Sequence, residues 1–254
     1  MLTPHEAANR RIFSRVAKRY DSPLARRVYF GRLYRHLLKI LEREAGTTLG
    51  GARVLDVACG TGEIINNLAR RFSGSAYTGL DITPAMLERA KKKTAGLANV
   101  SFVEATVDEL PFLDGAFDLV ICSEAFHHFS DPGRALSEMR RVLSLRGRLL
   151  LVDPAFNRPW IRRLANKFLP RLEHAHAVYS TGELAGLMEN YGFTVEFRST
   201  YALNSFILGA KKNSQRVSPL SPQTETDFHG PKTRSYRLRH WCRKNQSLFR
   251  LDLG

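Results

Sequence analysis

The chain has no run of about eighteen consecutive apolar residues, the length a membrane-crossing helix needs. Its first residues carry Glu6, Asn9, Arg10 and Arg11 where a signal peptide would place an apolar core. Both absences predict a soluble protein that is not secreted. Cysteine is also scarce: there are three, an odd number, and Cys59 and Cys122 fall at the ends of expected strands rather than at metal-ligand spacing. No metal site is expected, and a reduced, cytoplasmic setting fits.

What is present is enough apolar material for one sizeable core with some chain left over. Of 254 residues, 43% are hydrophobic and 10% aromatic. The formal net charge of +15 is unevenly placed. Residues 1–50 hold 11 Lys and Arg against 4 Asp and Glu, residues 51–210 hold 18 against 17, and residues 211–254 hold 10 against 3. The near-neutral middle reads as the folded body. The basic ends suggest contact with an anionic surface such as lipid head groups, or less readily nucleic acid; a solvated helix face and a solubilising tail would account for the same charge.

The middle is organised around RVLDVACGTG at 53–62. Val54, Leu55 and Val57 read as a strand covered on both faces, since such strands are near-continuously apolar. Gly60 and Gly62 then allow a sharp turn into a helix over 63–72. Without a Cβ at either position, a ligand can lie against the main chain and meet the amides of the helix start. A dinucleotide fingerprint, GxGxxG, would require a small residue at 65, where Ile65 stands, so NAD is disfavoured. AYTGLD (76–81) is a second buried strand ending in Asp81, about twenty residues past the turn, the spacing of an acidic ribose clamp. Thr83 is expected to cap the next helix, with Pro84 inside it and Met86 placed beside an adenosine.

Strands are expected at 100–105, 117–122 and 147–153, the last entered by a turn at Ser144–Gly147, with a closing hairpin from 193–200 and 205–210. Helices are expected over 5–44 (one or two), from Pro132 behind an Asp131 cap, and over 180–191. Residues 155–175 read as a basic amphipathic helix, which either meets a membrane surface or acidic substrate or merely covers the body. From Lys211 the composition turns to Ser, Pro, Thr, Gln, Lys and Arg, and a disordered tail is expected. Tyr236, Trp241 and Phe249 among its arginines are weak candidates for nucleic-acid or lipid contact.

The D-x-x-x-G-x-G of Asp56, Gly60 and Gly62 resembles motif I of the class I S-adenosylmethionine (SAM) methyltransferases, and from about residue 10 to 210 the chain is similar to their small-molecule branch. FSRVAKRYD (13–21) resembles the F-x-x-x-A-x-x-Y-D stretch of quinone-biosynthesis methyltransferases, and SEAFHHFSDP (123–132) resembles the branch's motif after strand four. One departure stands out. Aligned on Leu110-Pro111-Phe112, Ala105 and Thr106 occupy the positions where the family usually has Gly-Asp, so the acid expected near the adenine amino group is missing.

The resemblance implies an α/β fold, a doubly wound, seven-stranded, mostly parallel sheet (Rossmann-like methyltransferase fold) with an antiparallel C-terminal hairpin. It implies an N-terminal helical lid over 1–50 and a SAM-binding domain over 51–210. SAM would be held by Asp56, Ala58, Gly60, Thr61, Gly62, Asp81, Ile82, Met86, Thr106, Val107 and Ser123. Ser123 to Phe129 would face the reacting methyl. His127 and His128 are the candidate bases, because imidazole titrates near neutrality. Tyr20 on the lid, Phe126 and Trp160 would touch the substrate, a small hydrophobic or aromatic, quinone- or lipid-like molecule. RNA methylation is the alternative. Against it, no Asn/Asp-Pro-Pro-aromatic motif follows strand four, and Cys122 is poorly placed as a nucleophile. A non-catalytic SAM-binding protein is a third reading.

Overall fold

The structure, a computed structural model, describes residues 2–22, 31–44, 49–172, 175–201 and 203–212. All but the first two residues of the expected tail lie outside the described residues, with Cys242 and the tail's aromatic residues among them. By backbone contacts the chain divides into Met1–Ser214 and Gln215–Gly254, and only the first unit is described.

Two helices, α1 (Pro4–Tyr20) and α2 (Gly31–Glu44), precede a core that alternates strand and helix. It runs β1 (Arg53–Val57), α3 (Glu63–Arg71), β2 (Ala76–Asp81), α4 (Pro84–Lys93), β3 (Val100–Glu104), β4 (Phe117–Ser123), α5 (Pro132–Val142), β5 (Leu143–Pro154), α6 (Pro159–Leu172), α7 (Thr181–Asn190), β6 (Phe193–Tyr201) and β7 (Asn204–Lys211). The seven strands lie in the order β3-β2-β1-β4-β5-β7-β6. The first five are parallel, and β7 is antiparallel to both β5 and β6. This is the doubly wound sheet with a closing hairpin that the sequence predicts.

Each central strand is apolar at successive positions because its two faces are buried under different helices. Leu55, Val57, Val120, Leu149 and Leu151 pack with Leu136 and Met139 of α5 and Leu184 and Met188 of α7. Their neighbours Val54, Leu119, Ile121, Leu150 and Val152 pack with Leu33, Leu37 and Leu41 of α2 and Ile65 and Leu68 of α3. Ile65, the residue that argues against a dinucleotide turn, is therefore a core anchor. Removing a fully buried side chain such as Leu37 by substitution with Ala would cost about 2–5 kcal/mol.

The helix ends are specified locally. Asp131 Oδ1 accepts from the Arg134 amide at 2.9 Å, and Ser180 and Glu183 form a reciprocal capping box before α7. Two expectations are corrected. Thr83 holds the N-cap position of α4 but makes no side-chain capping bond; the Thr83 amide donates to Asp81 Oδ1 at 2.8 Å instead. The turn at Ser144–Gly147 is absent, because β5 begins directly at Leu143 and takes up the extra residues as an irregularity between the Phe117–Leu143 and Leu119–Arg148 pairs.

Gly62 fixes how α3 meets α4. Its φ is 71°, and an added Cβ would lie 2.9 Å from Ala90 Cβ, closer than real contacts allow. Gly62→Ala should therefore lower stability by about 2–4 kcal/mol from overpacking and left-handed strain, measured by urea unfolding. A change below about 0.5 kcal/mol would show that α3 and α4 can part without cost.

Candidate functional site

The strand order reverses between β1 and β4, and an open cleft lies at the carboxyl ends of these strands. Such switch points are where doubly wound sheets bind ligands. The turn after β1 forms its floor. Gly60 (φ 52°) would project a Cβ into open space, with no heavy atom within 4 Å, so the backbone there is bare toward the cleft. The two glycines of the motif thus have different tasks: Gly60 opens the floor, and Gly62, which does not line the cleft, packs helix on helix.

Asp81 organises this floor. Its Oδ2 accepts from the Gly60 amide at 2.8 Å and its Oδ1 from Thr83, so one carboxylate pins the glycine turn and the start of α4 together. Carboxylate oxygens have further lone pairs, so Asp81 keeps capacity toward a ligand. Burial pushes its carboxyl above the usual range, against the pull of these amides. Asp56 is more strained electrostatically. It is buried, its Oδ2 has no hydrogen-bond partner among the described residues, and burial followed by the nearby Asp81 charge pushes its carboxyl well up. Ala58, Thr61, Ile82, Met86, Thr106, Val107 and Ser123 also line the cleft, and the Ser123 hydroxyl is buried without a partner among the described residues. Asp108 lines it too, two residues beyond the position where the acid is missing. Its carboxyl is pushed up by burial and by Glu6 and Asp131.

One wall is α1, which contributes Glu6, Asn9, Phe13 and Tyr20, facing Tyr34 of α2. The helix is tied at both ends. At its start His5 Nε2 lies 2.8 Å from the His128 carbonyl, with Asn9 beside it. At its end Asp21, just past the helix, accepts from the Thr61 hydroxyl at 2.7 Å and from Lys93 Nζ at 2.8 Å. Lys93 Nζ also reaches Glu63 Oε2 at 2.7 Å. Thr61 therefore directs its hydroxyl to α1. Asp21 closes the F-x-x-x-A-x-x-Y-D stretch, and that position was the available signal for its role.

The segment after β4 divides sharply. Ser123, Glu124, Ala125, His128 and Phe129 line the cleft; Phe126 and His127 do not. The expectation that both histidines and Phe126 face the reacting group is corrected accordingly. In the short 3₁₀ turn Phe126–His128, Phe126 and His127 are both buried in the body and His128 reaches the cleft. Phe126 enters the core beneath Tyr179 and Phe129. His127 Nδ1 bonds to the fully buried Asp153 at 2.9 Å, and the same oxygen accepts from the Phe126 amide. Trp160 is corrected as well: it stands on α6, 65% exposed and outside the cleft. Two residues there have left-handed backbones without being glycine, Ala58 (φ 56°) after β1 and Glu124 (φ 57°) after β4. Both line the cleft, and strain of about 1–3 kcal/mol at each is typical of residues held in place for function. No sequence pattern announces a positive φ at Glu124.

Among the described residues, six carboxylates line the cleft (Glu6, Asp56, Glu63, Asp81, Asp108 and Glu124), and no Lys or Arg does. That is a site for a cation or a neutral molecule and an unfavourable one for the pyrophosphate of a dinucleotide. SAM, with its sulfonium and ammonium, fits: the open backbone at Gly60 and the unpartnered Asp56 oxygen are what such a ligand would fill. No cluster of metal-binding side chains occurs among the described residues. The Cys59 and Cys122 thiols are buried and pushed well up, Cys59 by burial and the Asp81 and Asp56 charges and Cys122 by burial and Asp153, which disfavours either as a thiolate nucleophile.

Comparison with known proteins agrees with this geometry. A family described as a methyltransferase domain matches residues 55–151. The demethylmenaquinone methyltransferase of Tropheryma whipplei (strain Twist) is 31% identical over 208 residues, covering 74% of this chain and 84% of the relative. That of Thermus thermophilus is 37% identical over 143 residues, covering 56% of this chain and 64% of its own length, just under two thirds. Among solved structures, a SAM-dependent methyltransferase from Aquifex aeolicus superposes with a TM-score of 0.62 at 22% identity, over 78% of this chain and 98% of its own, which shows a shared fold.

Asp56 should trade stability for binding. A carboxyl raised by folding makes the native state hold more protons than the unfolded one, so its cost appears as pH rises through the window above the unfolded value. Asp56→Asn should raise the melting temperature of the ligand-free protein at neutral pH, with the gain vanishing at acidic pH. It should weaken SAM binding by about 1.5–3 kcal/mol, the worth of a hydrogen bond to a charged group. Calorimetry showing unchanged SAM affinity would remove Asp56 from the site.

Proposed function

The chain belongs to the class I SAM-dependent methyltransferases, in the branch of the demethylmenaquinone methyltransferases, and from that premise we propose that it transfers the SAM methyl to a small hydrophobic or aromatic acceptor, quinone- or lipid-like. The observation that carries this reading is the composition of the cleft, acidic around the glycine turn and aromatic beyond it, with Phe13, Tyr20, Tyr34 and Phe129 in its walls.

In this reading Asp56 receives the cofactor's ammonium group, Asp81 the ribose hydroxyls, and Thr106 with the Val107 amide the adenine edge. SAM supplies an electrophilic methyl on a positively charged sulfur. The protein contributes in-line placement, exclusion of water and, where the acceptor is a hydroxyl or an acidic ring carbon, a proton acceptor. Where an acceptor took up the methyl, the proton it gave up would pass to His128 or Glu124, which both line the cleft. His127 acts at one remove, holding the turn that presents His128. α1 serves as the lid, carrying Phe13 against the His128 ring at 5.2 Å between centroids. Among the described residues no lysine or arginine lines the cleft, which argues against an acceptor rich in phosphate and weighs against RNA.

Incubation with methyl-labelled SAM and, separately, a demethylated naphthoquinol, phospholipid and RNA should place label in the quinol. His128→Ala should lower kcat by about 10²–10⁴-fold while leaving the SAM dissociation constant nearly unchanged. Label in RNA would favour the nucleic-acid reading, and label in no fraction would favour a non-catalytic SAM-binding protein.

A further inference from the structure

The helix α6 is oriented the wrong way round for a covering helix. Trp160, Leu164 and Phe168, at i, i+4 and i+8, are 65%, 52% and 39% exposed. Ile161 and Ala165 are half-buried on the inward side, and polar side chains make the hydrogen bonds there. Arg162 turns inward to the Phe156 carbonyl and to Glu183 Oε1 at 3.1 Å, and Asn166 makes a paired bond with the backbone of Val178. A helix that only shielded the body would turn its aromatics inward and its arginine outward. Arg163 and Lys167 are exposed on the same outward stripe, and Lys167 Nζ lies 5.8 Å from the centroid of the Phe168 ring. The helix contains no Asp or Glu. Leu203, at the β6–β7 turn and 71% exposed, is fixed near the entry to α6 through the bond from the Ala155 amide to its carbonyl.

We propose that this stripe docks the protein on an anionic lipid surface. A tryptophan and two further apolar side chains interleaved with cations, and no acid, are what an interfacial helix presents: rings and alkyl chains enter the head-group boundary while the cations meet lipid phosphates. A protein partner is the poorer fit, because protein interfaces are depleted in lysine at their centres. No helix of the described residues is long and apolar enough to cross a membrane, so the contact is peripheral. The proposal does not depend on methyl transfer, since none of these residues lines the cleft.

The test uses the full chain and sedimentation with phosphatidylcholine vesicles with and without phosphatidylglycerol. The wild type should bind the anionic vesicles. Trp160→Ser/Leu164→Ser/Phe168→Ser should lower partitioning at least about tenfold, and Arg163→Gln/Lys167→Gln about fivefold per charge removed, with SAM affinity unchanged in both. With Trp241→Phe as background, Trp160 fluorescence should shift to the blue on anionic vesicles. Absence of wild-type binding, or a triple variant that binds as well as the wild type, would overturn the proposal. So would a wild-type dimer that the triple variant converts to monomer, which would give the stripe to a second copy of the chain.

Discussion

The site depends on a single carboxylate. Asp81 closes β2 and spends one oxygen on the glycine turn after β1 and the other on the start of α4. Three elements that are far apart in sequence are therefore registered to each other at the point where the ligand must sit. Hydrogen bonds from amides to a charged acceptor are about twice as strong as neutral ones, and burial removes the competition of water. Asp81 therefore has a structural task in its own right. Substituting it by alanine would release the Gly60 backbone at the same time as it removed an acceptor, and a loss of affinity would not separate the two effects.

The cost of this arrangement is concentrated next to it. Asp56 lies buried beside Asp81 with an oxygen that finds no partner among the described residues, and Ala58 and Glu124 hold left-handed backbones at the ends of the two central strands. Each feature lowers the stability of the ligand-free fold, and each faces the cleft. The two sheet faces, packed with Leu, Ile and Val in nearly complete burial, supply the stability that tolerates it.

Much of this was legible in the sequence because it follows from short-range chemistry. Apolar runs ending in Asp56 and Asp81, the glycine turn and the Asp131–Pro132 cap each specify local structure that tertiary packing did not override. The failures have a common physical cause. Phe126, His127 and His128 are consecutive, and which of them reaches the cleft is decided by the turn geometry and by Asp153, a strand residue far away in sequence. Trp160 is similar: helical periodicity finds the apolar stripe of α6, but only the inward bonds of Arg162 and Asn166 reveal that the stripe faces outward. The family alignment drew attention to the missing acid at Thr106, while Asp108, already in the cleft, could not be recognised without coordinates.

Thr61 belongs to two structures at once. As part of the glycine turn it lines the cleft, and its hydroxyl donates to Asp21 at the end of α1, beside Lys93. Turn and helix end therefore cannot shift independently, and ligand occupancy and helix position become variables of one equilibrium. Thermodynamic linkage makes such coupling reciprocal. By whatever factor a docked α1 improves the hold on the cofactor, bound cofactor favours the docked helix by the same factor, so a substitution at Lys93, the last residue of α4, would register in the cleft as an altered affinity.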